Sequence, residues 1–215
     1  GVARLRALME LILVRHALPL EVRSPDGQAV DPSLAPAGCV QAATLANWWS
    51  SVGGSGKGHF GAPPDRLYTS PMRRALETAE PLAEAFGLEL EVVAGVAEFD
   101  RDASEYIPLE ALKRRDYPRW KAFVEGAMQG ELDLEAFRVE VIACLEGIIR
   151  ENPGRRVAVV CHGGVINTWA AQLLGLPPKL FMDAGYTSLH RFFAAASGER
   201  SVASLNEAPH LEASL

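Results

Sequence analysis

Two short runs dominate the hydrophobic pattern of the chain. Leu11-Ile12-Leu13-Val14 ends in Arg15-His16, and Val157-Ala158-Val159-Val160-Cys161 ends in His162-Gly163-Gly164. Uninterrupted apolar runs of this length, rich in Val and Ile, suit strands covered on both faces, as in a parallel sheet between helices. Asp65–Thr69 and Leu90–Val93 read as weaker strands, and Ser188–Phe193 as a late edge strand.

Helical spacing fills the intervals. Ala37–Ser51 repeats small and apolar residues and is expected to stop before Gly53–Gly58. Pro71–Phe86 has Ser70 as its N-cap, Pro71 at the first helical position and Gly87 just past the end. Leu134, Phe137, Val141, Leu145 and Ile148 recur at helical steps and stop at Asn152-Pro153-Gly154. Val165–Leu174 closes on Gly175 and Pro177. Strand alternating with helix predicts an α/β fold, a three-layer α/β/α sandwich with a mostly parallel sheet. A single domain is expected over residues 9–205. Residues 1–8 are set apart as leader or alternative start, and 206–215 as a mobile tail.

Composition narrows the class of partner. The 215 residues carry 21 Lys+Arg against 27 Asp+Glu, a net charge of −6, with 48% hydrophobic and 22% charged residues. This is a folded rather than a disordered composition. No apolar run approaches the ~20 residues of a membrane helix, so no membrane partner is expected. Mild acidity argues against nucleic acid and leaves a small molecule; the oligomeric state stays open. Cys39, Cys144 and Cys161 stand at wide, unmatched spacing, which fits neither a disulfide framework nor a zinc site. A cytoplasmic location and no bound metal or cofactor follow as expectations. Gly53–Gly58 is not a phosphate loop, because Ser51 stands where the first glycine belongs and Gly58 replaces the Ser/Thr. It reads as a surface loop. His59 and His210, in polar surroundings, read as solvent-exposed, and His190 as a structural histidine.

Chemistry gathers at strand ends. In open α/β sheets, ligands bind beyond the carboxyl ends of the parallel strands, so Arg15-His16 and His162-Gly163-Gly164 are candidates for one pocket. The glycines allow close backbone approach, and the following helix directs free N–H groups at an anion. Arginine adds a planar fork that matches phosphate oxygens. The third strand contributes Arg73-Arg74 in the first turn of the next helix.

These residues also carry a resemblance. Leu13-Val14-Arg15-His16-Ala17 is similar to the R-H-G signature of the histidine phosphatase superfamily, which includes the phosphoglycerate mutases. Asp31-Pro32-Ser33-Leu34 with Gly38 and Gln41 resembles the family's D-x-x-L-T-x-x-G-x-x-Q-A segment. Ser70-Pro71-Met72-Arg73-Arg74-Ala75 with Thr78-Ala79 resembles S-x-L-x-R-A-x-x-T-A, and Val160–Val165 resembles V-x-H-G-G-x. The resemblance implies a phosphoglycerate mutase-like catalytic domain acting on a small phosphorylated substrate. By it, His16 is the nucleophile that becomes phosphorylated. Arg15, Arg74 and His162 surround the phosphate, joined by Gly163 from the strand-end argument. The proton donor falls in Ala97-Glu98-Phe99-Asp100, where Glu98 is the choice and Asp100 the rival.

The physical chemistry fits a metal-independent phosphatase. Nearby arginines keep the attacking imidazole neutral and stabilise the transferring phosphoryl group, and a carboxylic acid protonates the leaving oxygen. The chain lacks the S-x-W-N segment after the R-H pair and the R-x-Y-G after Glu98 that mark phosphoglycerate mutases. Hydrolysis is therefore favoured over mutase transfer, and a non-catalytic phosphate-binding domain is the reading from another class. Ser104–Gln129 is expected to form helices over the strand ends. Tyr106, Arg114, Arg115, Arg119 and Trp120 in it either shape substrate choice or belong to a solvated cap with Trp120 in the core.

Overall fold

The computed structural model describes residues 8–55, 62–124, 133–177 and 179–212. Its framework is a six-stranded sheet in the order β4-β3-β6-β1-β7-β8. β1 (Leu8–Arg15), β3 (Arg66–Thr69), β4 (Leu90–Val92) and β6 (Arg156–Cys161) run parallel. β7 (Leu189–Ala195) and β8 (Arg200–Glu207) continue the sheet antiparallel. A two-stranded pair, β2 (Val22–Arg23) with β5 (Glu105–Tyr106), ties the loop after β1 to the cap.

Both faces of the central strands are buried, which is why their sequences are apolar without alternation. Leu11, Leu13, Val157 and Val159 face one layer, formed by α5 (Leu134–Glu151) and α6 (Gly163–Leu174), against Val141, Leu145 and Trp169. Ile12, Val14, Ala158 and Val160 face the other, formed by α1 (Pro36–Ser55) and α2 (Arg73–Phe86), against Leu45, Trp49 and Leu82. The expected three-layer α/β/α architecture is present. Two short helices, α3 (Leu109–Arg115) and α4 (Tyr117–Val124), form the cap, and α7 (Pro209–Glu212) ends the described chain.

Several expectations need correction. Helix α1 continues through Val52–Ser55 instead of stopping at Ser51; His59 lies outside the described residues. Ser188–Phe193 is not an edge strand, because β8 pairs with β7 on its far side. Residues 206–212 of the expected mobile tail are structured: Asn206 and Glu207 belong to β8, Pro209–Glu212 to α7, and His210 is buried at 1% exposure rather than solvent-exposed. Ser70 does not cap α2. That helix starts at Arg73, whose N–H is held by the Asp31 carboxylate at 3.0 and 3.1 Å, so a remote loop satisfies the helix end. Gly87 does close the helix in the left-handed conformation, with φ 64°.

Candidate active site

All four parallel strands deliver chemistry at their carboxyl ends. β1 ends on Arg15 and is followed by His16, β3 ends on Thr69 and is followed by Ser70 before Arg74 of α2, and β6 is followed by His162 before Gly163 of α6. The turn after β4 carries Glu98. The sequence-predicted residues Arg15, His16, Arg74, Glu98 and Gly163 line one cavity of about 780 Å³. His162 stands beside them, its ring centroid 5.1 Å from that of His16. Arg15, His16, Arg74, Glu98 and His162 are all buried.

His16 is fixed in one tautomer. Its Nδ1–H donates to the Ala17 carbonyl at 2.8 Å, which leaves the lone pair on Nε2. Burial lowers its pKa well below the usual histidine value, and the charges of Arg74 and Arg15 lower it further. Ala17 is itself held from α2: its N–H donates to Thr78 Oγ1 at 2.9 Å, and that hydroxyl donates to the Arg74 carbonyl at 2.6 Å. Gln41 Oε1 accepts the Leu18 N–H at 2.9 Å. A Cβ on Gly38 would stand 2.0 Å from the Leu18 carbonyl oxygen, so only glycine fits where α1 passes this loop. Ala17 does not adopt a positive φ, so its place in the R-H-G signature brings no strain.

The two arginines are clamped from opposite sides. Arg15 Nη1 donates to Glu110 Oε1 at 3.1 Å and to the Ala184 carbonyl, and its guanidinium lies 4.0 Å from the Tyr186 ring centre. The Tyr186 hydroxyl donates to Glu110 Oε2 at 2.8 Å. Arg74 Nη2 donates to Asp100 Oδ1 at 2.7 Å, and its guanidinium lies 4.6 Å from the Tyr106 ring centre. Arg15 Nε, Arg74 Nε and His162 Nδ1 are buried without a hydrogen-bond partner. Three such nitrogens around His16 suit an anion with several acceptor oxygens.

Glu98 and Asp100 have different surroundings. Asp100 is committed to Arg74. Glu98 accepts from the Gly164 N–H at 2.8 Å and the Phe99 N–H at 3.2 Å, yet burial, helped by the Asp100 charge, pushes its pKa up to about 7. A Cβ on Gly164 would stand 2.2 Å from Glu98 Oε1 and 2.6 Å from a Phe99 ring carbon, whereas one on Gly163 would find nothing nearer than Arg15 Nε at 3.8 Å. The glycine that close approach demands is therefore Gly164.

Ser70, expected as a cap, instead bonds His162 Nε2 through its Oγ at 2.8 Å. Glu110 and Tyr186 escaped the sequence reading: one lies in a short cap helix and the other in a loop, where no spacing marks them. Ser70 and Thr78 were visible as letters of a resembling segment, without their roles. Over the site, Leu112, Trp120 and Val124 of the cap and Phe181-Met182 line the cavity, with Tyr106 and Arg119. Trp120 is thus a cavity wall. Arg115 instead pairs with Glu21 at the surface, and Arg114 is absent from the lining. His190 is structural, as expected, between Ser188 Oγ at 2.9 Å and the Asn206 N–H at 3.1 Å. Among the described residues no three His, Cys, Asp or Glu side chains form a metal-binding group, and no helix is long and apolar enough to cross a membrane.

Residues 11–207 match the family model of the histidine phosphatase superfamily (branch 1). The uncharacterized phosphatase PhoE of Bacillus subtilis is 27% identical over 116 residues, 54% of this chain and 56% of that protein, so the chain spans little more than half of this relative. Phosphoserine phosphatase 1 of Hydrogenobacter thermophilus is 28% identical over 195 residues, 85% of this chain and 87% of that protein. A phosphoserine phosphatase mutant from Entamoeba histolytica, solved in complex with phosphoserine, shares the fold with a TM-score of 0.69. It is 22% identical, and the match covers 94% of this chain and 99% of that one. The strand-end motifs, the sheet that assembles them and the match over nearly the whole chain agree: the protein belongs to the histidine phosphatase superfamily.

Proposed function

We propose that the protein hydrolyses a small phosphate monoester in two displacements, through a phosphohistidine at His16 and without a metal. His16 Nε2 attacks phosphorus as the bond to the ester oxygen breaks, and Glu98 gives its proton to that oxygen, releasing the alcohol. The Glu98 carboxylate then takes a proton from water, whose oxygen attacks the phosphohistidine. Inorganic phosphate leaves and both side chains return to their starting states. Arg15, Arg74, His162 and the N–H of Gly163 hold the phosphoryl oxygens through both steps.

One observation carries this reading: His16, its Nδ1–H bonded to the Ala17 carbonyl, and Glu98 are buried in the same cavity, and that burial favours the neutral imidazole and pushes the carboxyl pKa up to about 7. A nucleophile and an acid are thus available together. The positive charge that a metal would supply to the phosphoryl group comes here from two buried arginines. The names of both curated relatives, each a phosphatase, support hydrolysis over mutase transfer. The cavity, walled by Leu112, Trp120 and Phe181, is large enough to take the leaving group as well as the phosphate.

Turnover of a generic aryl phosphate in excess chelator is the test. The native protein is expected to release phosphate and the His16→Ala variant to release none. A folded native protein inert toward a broad panel of phosphate esters would contradict the proposal, and activity lost to chelator would contradict its metal independence. Isomerisation of a phosphoglycerate without net phosphate release would point to mutase chemistry.

A further inference from the structure

Thr187 adopts φ 57°, a left-handed conformation that a β-branched residue rarely takes. It is fully buried just before β7. Its N–H donates to the Arg15 carbonyl at 3.1 Å and to the His16 carbonyl at 3.4 Å, while the Arg15 N–H donates to the Ser188 carbonyl at 3.1 Å. These bonds carry the β1–β7 pairing past Val14↔Leu189 onto Arg15, the last residue of β1, and His16 just after it. The residue before Thr187, Tyr186, lies over the site, its ring centre 4.0 Å from the Arg15 guanidinium and 5.8 Å from the His16 ring centroid.

The strained residue is held from the C-terminal turn. Thr187 Oγ1 donates its single proton to the Tyr186 carbonyl at 2.6 Å, so toward His210 Nε2, 2.8 Å away, it is the acceptor. His210 belongs to α7, and its ring centroid lies 5.7 Å from the Trp48 ring of α1. Burial keeps its imidazole neutral, with the pKa lowered to about 4. Nothing in the proposed chemistry uses this histidine, which lines no part of the cavity.

We propose that His210 is a positioning residue: through Thr187 it holds the backbone of Arg15 and His16, and the Tyr186 ring beside them, in the geometry that phosphoryl transfer needs. The activity readout rests on the proposed phosphatase function; the affinity readout for inorganic phosphate does not.

The experiment compares His210→Ala, His210→Gln and Thr187→Gly with the native chain, measuring kcat on an aryl phosphate and phosphate affinity by calorimetry. Glutamine places an N–H donor near the original Nε2. Val202→Ala, a partly buried change in β8 away from the site, serves as the control for lost stability. His210→Ala is expected to lower kcat about tenfold and weaken phosphate binding, because small misplacements of reacting groups cost that much or more. His210→Gln should restore both to within about twofold, and Thr187→Gly, free of strain but without the hydroxyl, should lose as much as His210→Ala. Native kcat and phosphate affinity in folded His210→Ala would overturn the proposal. So would a glutamine variant no better than alanine, or the same kcat loss in Val202→Ala at a matched loss of Tm. If native protein hydrolyses no ester, the phosphatase reading fails, and phosphate affinity across these variants still decides the role of His210.

Discussion

Burial acts on His16 and Glu98 alike, keeping each uncharged, and it thereby moves their pKa values in opposite directions. Histidine falls well below its usual 6.5, while the carboxyl rises from 4.5 to about 7. If Glu98 is the acid, kcat/KM declines as pH rises through about 7 and holds its plateau on the acid side until His16 takes a proton. A pH–rate profile checks this; a basic limb unchanged in Glu98→Gln would assign it to another group. Glu98→Gln should lower kcat/KM, which reports the first displacement, by roughly 10²-fold or more on alkyl phosphates and much less on aryl phosphates, whose leaving oxygen needs no proton. The same pKa bears on stability. Below 4.5 both folded and unfolded chains hold the Glu98 proton; between 4.5 and about 7 only the folded chain does, so this stabilisation is lost as pH rises through about 7. Glu98→Gln should gain stability over native protein between about pH 5 and 8, up to a ceiling of roughly 3 kcal/mol, read by denaturant unfolding at each pH. The choice between Glu98 and Asp100 was beyond the sequence because both follow the same turn. Only the fold commits Asp100 to Arg74 and seats Glu98 on the start of α6.

Helix α6 begins where β6 ends, and its second residue, Gly164, touches Glu98. Gly164→Ala would drive a methyl into Glu98 and Phe99 and is expected to cost about 10²-fold in kcat, with the fold kept by far-UV circular dichroism. Gly163→Ala keeps its N–H and meets only ordinary contacts, so activity within about threefold of native is expected. Equal losses in the two variants would show that activity does not depend on seating Glu98 against Gly164. The elements were legible where both faces are buried, as in β1 and β6, and where an apolar stripe meets a clear stop, as in α5. β8 was not: at the sheet edge only Val202 and Leu205 pack on the core, too few to set a period in Arg200–Glu207. Helix α1 ran past the expected stop because its last turn contains Gly53-Gly54, residues that signal a loop unless tertiary structure overrides them.

Across the whole molecule, a net charge of −6 coexists with two buried arginines at one point, so the total charge speaks to long surfaces and not to a cavity. Four buried histidines, His16, His162, His190 and His210, all have lowered pKa values. As pH falls below about 6.5 the unfolded chain takes up protons that the folded chain refuses, so stability falls, each histidine adding up to about 1.4 kcal/mol per pH unit. Urea unfolding between about pH 7 and 5 checks this, and stability flat over that range would contradict the buried neutral assignment. The sequence reads His190 as structural but His210 as solvent-exposed, since a short polar tail carries no sign of what will cover it. The catalytic claim itself has a direct test. Brief mixing of native protein with an aryl phosphate, acid-free denaturing quench and peptide mass analysis should find phosphate on His16, stable in base and lost in acid, and none in His16→Ala. Rapid turnover with no phosphate on His16 at any mixing time, or undiminished turnover by folded His16→Ala, would contradict the account.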